Sequence, residues 1–201
     1  MRAGTAHSKA EKTTGQRRDE EGLLQRVRNP HTPAHEVRRA VALLFPKGVH
    51  RGRLSMCTTA ISALGRVHAC EEAVALLETM RQRALTPNVI SYNAAASACV
   101  KGGQWQRALE LLDGMPQRAL KPNVISYSAA TSACEKGGQW QRALEVLEGM
   151  PQRALEPDVI SYTAATSACE KVGQWPRVLE LLEGMPQLAL PSQTRSATAP
   201  P

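Results

Sequence analysis

No stretch of this 201-residue sequence stays apolar for the length a membrane span requires, so no membrane partner is expected. Five cysteines, an odd number with no short-spaced pair, speak against a disulfide framework or a zinc site and fit a reducing compartment. Cys99, Cys134 and Cys169 are whole repeats apart and are expected to be core thiols. Among the histidines only His31 and His35 are closely spaced, and Pro33 between them breaks any shared helical face, so no metal is expected. Nucleophile motifs, glycine-rich phosphate loops and carboxylate dyads are also missing. We therefore expect no catalytic site, no cofactor and no small-molecule substrate.

What is present is repetition. Trp105, Trp140 and Trp175 are 35 residues apart, as are Cys99, Cys134 and Cys169, and Met80, Met115, Met150 and Met185 carry the same period. The units are Leu54 to Asn88, worn, with Cys57 and Cys70 in place of Tyr and Trp; Val89 to Asn123; Val124 to Asp158; and Val159 to Leu190. A unit of this length is one supersecondary element that cannot bury its apolar face alone, so neighbours must stack. The expected fold is an all-α solenoid of stacked helical hairpins, with function on a repeated surface.

Within a unit, Ile90 to Lys101 and Gln104 to Met115 read as helices, separated by Gly102-Gly103 and bounded by Pro87 and Pro116. The second carries Trp105, Ala108, Leu109, Leu112 and Met115 on one stripe, which makes it a packing helix with the tryptophans in the core. On the first, Tyr92, Ala95, Ala96 and Cys99 form the apolar face, while Ile90, Asn93, Ser97 and Lys101 share another. That second face recurs as Ile125, Ser128, Ser132, Lys136, as Ile160, Thr163, Ser167, Lys171, and as Ser55, Thr58, Ser62, Arg66. Stacking would join these faces into a groove of apolar wedges and small polar groups edged by cations, a surface suited to single-stranded RNA.

The run V-I-S-Y-N, then K-G-G, A-L-E-L-L, a Met and a closing L-K-P-N or L-E-P-D resembles the pentatricopeptide repeat of the P type, over roughly Leu54 to Leu190. The resemblance implies a right-handed superhelix that binds single-stranded RNA. It also implies a base-reading pair in each unit: Thr58 with Asn88, Asn93 with Asn123, Ser128 with Asp158, and Thr163 with a partner near Gln193. By the family's code these pairs imply adenine, a pyrimidine, guanine and a purine in order. Ile90, Ile125 and Ile160 would wedge between bases, and Arg66, Lys101, Lys136 and Lys171 would face phosphates. The implied roles are mRNA processing, stabilisation or translation in a mitochondrion or chloroplast, alongside other RNA-processing proteins.

Other readings of the same residues stay open. Asn88, Asn123 and Asp158 follow a Pro and precede a helix, where such side chains cap orphan N–H groups without any ligand. The four cations could be helix ends favourable to the macrodipole. A scaffold binding a peptide in the same groove is the alternative function, and buried rather than exposed wedge isoleucines would favour it. Small residues after the Tyr, as at Ala95-Ala96, Ala130-Thr131 and Ala165-Thr166, predict loosely packed hairpins.

Charge is unevenly placed. Residues 1–53 hold 12 Lys and Arg against 5 acids, whereas 54–190 hold 12 against 13, so the formal net charge of +7 comes from outside the repeats. Non-specific affinity for nucleic acid follows the phosphates neutralised, so any electrostatic attraction must be local to the groove. Residues 1–34 read as a basic disordered arm or transit peptide, 35–53 as a degenerate capping helix, and 191–201 as a disordered tail.

Overall fold

The computed structural model describes residues 19–45, 54–83 and 85–185. It is an all-α solenoid. Helix α1 covers residues 19–28 and α2 spans Ala34–Leu44. Four hairpins follow: α3 (Leu54–Arg66) with α4 (Cys70–Gln82), α5 (Val89–Lys101) with α6 (Trp105–Gly114), α7 (Val124–Lys136) with α8 (Trp140–Glu148), and α9 (Val159–Lys171) with α10 (Trp175–Gly184). The expected arm before residue 19, the tail from 191 and Gln193 lie outside the described residues.

Local chemistry sets these boundaries. Asn88, Asn123 and Asp158 adopt extended backbone and accept the amide of Ser91, Ser126 and Ser161, satisfying one orphan donor at each first-helix start. Each first helix ends on a left-handed residue: Gly103, Gly138 and Gly173 at φ 72°, 68° and 71°, and His68 at 58° in the worn unit. After α6 and α8 the chain turns through short 3-10 segments, Pro116–Arg118 and Pro151–Arg153. There Arg118 and Arg153 donate to the carbonyls of Gly114 and Gly149 and lie over the rings of Tyr92 and Tyr127.

First helices α3, α5, α7 and α9 lie side by side, and α4, α6 and α8 each wedge between their own first helix and the next. The small residues after the Tyr do not leave the stack loose. Ala95, Ala130, Thr131 and Ala165 are fully buried, and a Cβ at Gly65 on α3 would sit 3.2 Å from Ala98 Cα on α5. Short side chains let adjacent backbones approach, and that closeness replaces bulk.

Three other expectations are corrected. Residues 19–28 are helical and not an arm, because Val27 is fully buried and Leu23 and Leu24 pack on the same core as Val37, Val41 and Leu44 of α2. Cys70 and Cys99 are joined by a disulfide, leaving Cys57, Cys134 and Cys169 as buried cysteines outside that bond. The 29-residue separation hid this pair, but stacking places the start of α4 against α5 with the two Cα atoms 4.8 Å apart. Cys70 stands in the register of the tryptophans. Trp175 is 57% exposed and not core, since α10 has no following first helix over it among the described residues. Trp105, by contrast, packs on the next repeat so closely that a Cβ at Gly137 would lie 2.3 Å from its ring.

Candidate nucleic-acid interface

The polar faces of the first helices meet on one side of the stack. Ile90, Ile125 and Ile160 are 65%, 62% and 61% exposed there. Each would lose little by folding alone, and three such side chains at one register form a row of apolar contacts open to a planar ligand. A pocket of about 270 Å³ runs between α5 and α7, lined by Asn93, Ser97, Lys101, Ile125, Ser128, Ser132, Lys136, Asp158 and Ile160. A second, of about 430 Å³, is lined by Ser55, Thr58, Ser62, Asn88 and Ile90.

The pairs named from the sequence converge through the helix-capping geometry. Asn93 donates its side-chain amide to Asn123 Oδ1 at 3.1 Å, and Ser128 Oγ lies 2.9 Å from Asp158 Oδ1. Thr58 and Asn88 both meet Ser91: the Thr58 and Ser91 hydroxyls are 3.0 Å apart, and Ser91 Oγ donates to Asn88 at 3.1 Å. Ser91, Ser126 and Ser161 are therefore the linking elements, and nothing in the sequence singled them out. Each is buried, sits three residues after the cap, and touches the paired residue of the preceding repeat; Ser126 Oγ donates to Asn93 Oδ1 at 2.7 Å. Ser128 itself is 5% exposed and also meets Ser161 Oγ at 2.8 Å. Capping and pairing use the same side chains. Thr163 is exposed.

Asp158 feels two opposed effects. Burial pushes its carboxyl up, but hydrogen bonds from the Ser161 hydroxyl and amide and from Ser128 outweigh it and hold the pKa below the usual value of 3.8. The group is an anion at neutral pH.

The four cations of the row are engaged unequally. Lys101 and Lys136 are exposed, with no side-chain partner among the described residues. Lys171 pairs with Glu135 at 2.5 Å, and Arg66 donates to the backbone carbonyls of Val27 and Arg28. Lys171 is thus neutralised by a neighbouring carboxylate, whereas Arg66 is anchored to carbonyls and keeps its charge. Glu135 occupies the register of Val100, next to Lys136 on α7, and is 18% exposed under the Lys171 ammonium. No metal-ligating cluster of three or more His, Cys, Asp or Glu occurs among the described residues, and no described helix is long and apolar enough to cross a membrane.

The family model PPR_long, described as the pentacotripeptide-repeat region of PRORP, matches residues 47–198. The chain belongs to the pentatricopeptide repeat family. The PPR domain of Arabidopsis thaliana protein-only RNase P 1, crystallised with tRNA, is similar to this repeat array with a TM-score of 0.60 at 15% identity, over 85% of this chain and 86% of that one. The pentatricopeptide repeat protein PPR10 from maize is similar at 29% identity and a TM-score of 0.58, over 74% of this chain and 21% of PPR10. PPR10 in complex with an 18-nt psaJ RNA element is similar at 18% identity and a TM-score of 0.60, over 72% of this chain and 21% of that one. The array thus spans about a fifth of PPR10. No curated protein matches it by sequence.

Proposed function

We propose that the chain binds single-stranded RNA in the groove formed by α3, α5, α7 and α9. The observation that carries the reading is the pairing of Asn93 with Asn123 and of Ser128 with Asp158 beside exposed isoleucines, which presents a polar edge between two apolar wedges at successive repeats. Unstacked bases fit such a surface, flat faces against the wedges and edges on the polar pair. Similar repeat structures hold tRNA and an 18-nt RNA element, which supports an RNA partner here. Thr58 with Asn88 and Thr163 extend the base-reading set, and Lys101 and Lys136 supply the phosphate contacts. We place the protein in mitochondrial or chloroplast RNA processing, stabilisation or translation, acting with other RNA-processing proteins. A few units offer ~1–3 kcal/mol of stacking per base at most, so affinity is modest and the recognised sequence short.

The test is binding of the chain to pooled single-stranded RNA and matched DNA at two salt concentrations, with Lys101→Ala/Lys136→Ala as the comparison. Expected is a preference for RNA, with a salt slope that falls by roughly 1.4 in the double variant, about 0.7 for each phosphate contact on a single strand. If folded wild type binds no RNA at low salt, the reading fails and the groove is to be tested as a peptide-binding scaffold.

A further inference from the structure

One end of the groove is built differently from the rest. Where the C-terminal end of α1 meets α3 and α5, a pocket of about 420 Å³ is lined by Arg28, Ser62, Arg66, Ser97 and Lys101, with Val27 and Thr59 among its walls. Three cations face it, and no carboxylate is among its lining residues. The neighbouring pocket between α5 and α7 sets Asp158 against its two lysines, and the one beside Thr58 and Asn88 has no charged lining residue.

The groups in this pocket are prepared for an anion. Arg66 spends part of its five-donor fork on the carbonyls of Val27 and Arg28, which fixes the guanidinium at the pocket wall and leaves its charge in place. Ser62 and Ser97 are exposed and have no hydrogen-bond partner among the described residues, whereas Thr59 is already committed to the Ser55 carbonyl. Lys101 is exposed one turn beyond Ser97 on α5.

Position and charge together narrow the ligand. Helices α1 and α2 pack on the α3 end of the stack, so the pocket lies at the α3 end of the groove formed by α3, α5, α7 and α9. An internal phosphodiester carries one negative charge, whereas a phosphate monoester carries close to two at neutral pH. We propose that this pocket binds a phosphate monoester, the terminal phosphate of an RNA strand lying in the groove, held by Arg28, Arg66 and Lys101 with Ser62 and Ser97. The strand-end assignment rests on the RNA reading above; the anion site does not.

The test uses the full chain and two probes. The first is inorganic phosphate: thermal unfolding is followed in phosphate and in chloride at matched ionic strength, for wild type and Arg28→Gln. The second is one pool of short single-stranded RNA carrying a 5′-phosphate, a 3′-phosphate or hydroxyls at both ends. Arg28 is exposed and contributes to the fold through its backbone carbonyl, so Arg28→Gln should fold. Expected are a rise in Tm specific to phosphate and about tenfold tighter binding of RNA phosphorylated at one end than of its hydroxyl-ended twin, both lost in Arg28→Gln. The end that gains gives the direction in which the strand lies. Equal effects of phosphate and chloride, or gains retained in Arg28→Gln, overturn the site. Equal binding of all three RNAs overturns the strand-end assignment. Phosphate-specific stabilisation through Arg28 without any RNA binding overturns the RNA reading of the groove and that assignment with it.

Discussion

Asp158 caps α9 and faces Ser128, and its two duties make it sensitive to acid. Its folded pKa is depressed, so its stabilising contribution is present above the unfolded value near 3.8 and is lost as pH falls through the folded pKa. Replacing it with Asn keeps a capping oxygen and removes the titration. Urea unfolding of wild type and Asp158→Asn at pH 7 and at steps below pH 4 should show the wild type losing more stability over that acid range; parallel curves would refute the assignment. A second residue-scale prediction concerns Gly137. Its missing Cβ leaves room for Trp105, so Gly137→Val should cost about 1–3 kcal/mol in a denaturant melt. The next repeat already carries Val172 at this register, where the helix end has opened to φ −108° from −81° at Gly137. Burial also pushes the Cys134 thiol up to about 11, which fits a thiol that packs and does not react.

At the scale of the element, a first helix serves two faces at once. Its Tyr, Ala and Cys side packs into the stack while its Ile, Asn or Ser and Lys side forms the groove, and the Ser three residues after the cap ties one helix to the next. Ser126→Ala should therefore do more than remove a cap partner. It frees Asn93 as well, and a cost of about 1–2 kcal/mol in thermal or chemical unfolding is expected, together with altered base preference at that repeat. Unchanged stability would mean that water replaces the hydroxyl without loss. The two faces were legible in the sequence, because helical spacing alone separates Tyr92 from Asn93 and Lys101. The serine link was not, since Ser91, Ser126 and Ser161 fall on neither stripe. Nor was the engagement of two cations: Glu135 reaches Lys171 only because stacking brings α7 beside α9, and Arg66 meets α1 across 39 residues of chain.

Across the whole molecule, stability is additive along the stack, and the junction between α4 and α5 has a covalent tie. The Cys70–Cys99 disulfide closes a 29-residue separation, for which loop entropy in the unfolded chain gives about 3–4 kcal/mol. Reduction of the native chain should lower its Tm, and Cys70→Ala should be insensitive to reductant. Mass analysis under non-reducing conditions should find three alkylatable thiols after unfolding, namely Cys57, Cys134 and Cys169. Five alkylatable thiols in a protein kept under oxidising conditions would remove the tie.

The 35-residue period, the glycine and proline punctuation and the apolar spacing determined by themselves that this chain is a stack of helical hairpins, because each is a local property repeated until only stacking can bury it. They also determined which face of each first helix is left over, whereas the pairing of Asn93 with Asn123 and of Ser128 with Asp158 was implied by the resemblance to the pentatricopeptide repeat. Tertiary structure alone decided the disulfide, the exposure of Trp175, the helix at residues 19–28 and which cations remain free. Those outcomes depend on what lies across a repeat junction or at the end of the stack, where two residues distant in sequence share one small space and no periodic signal records that they do.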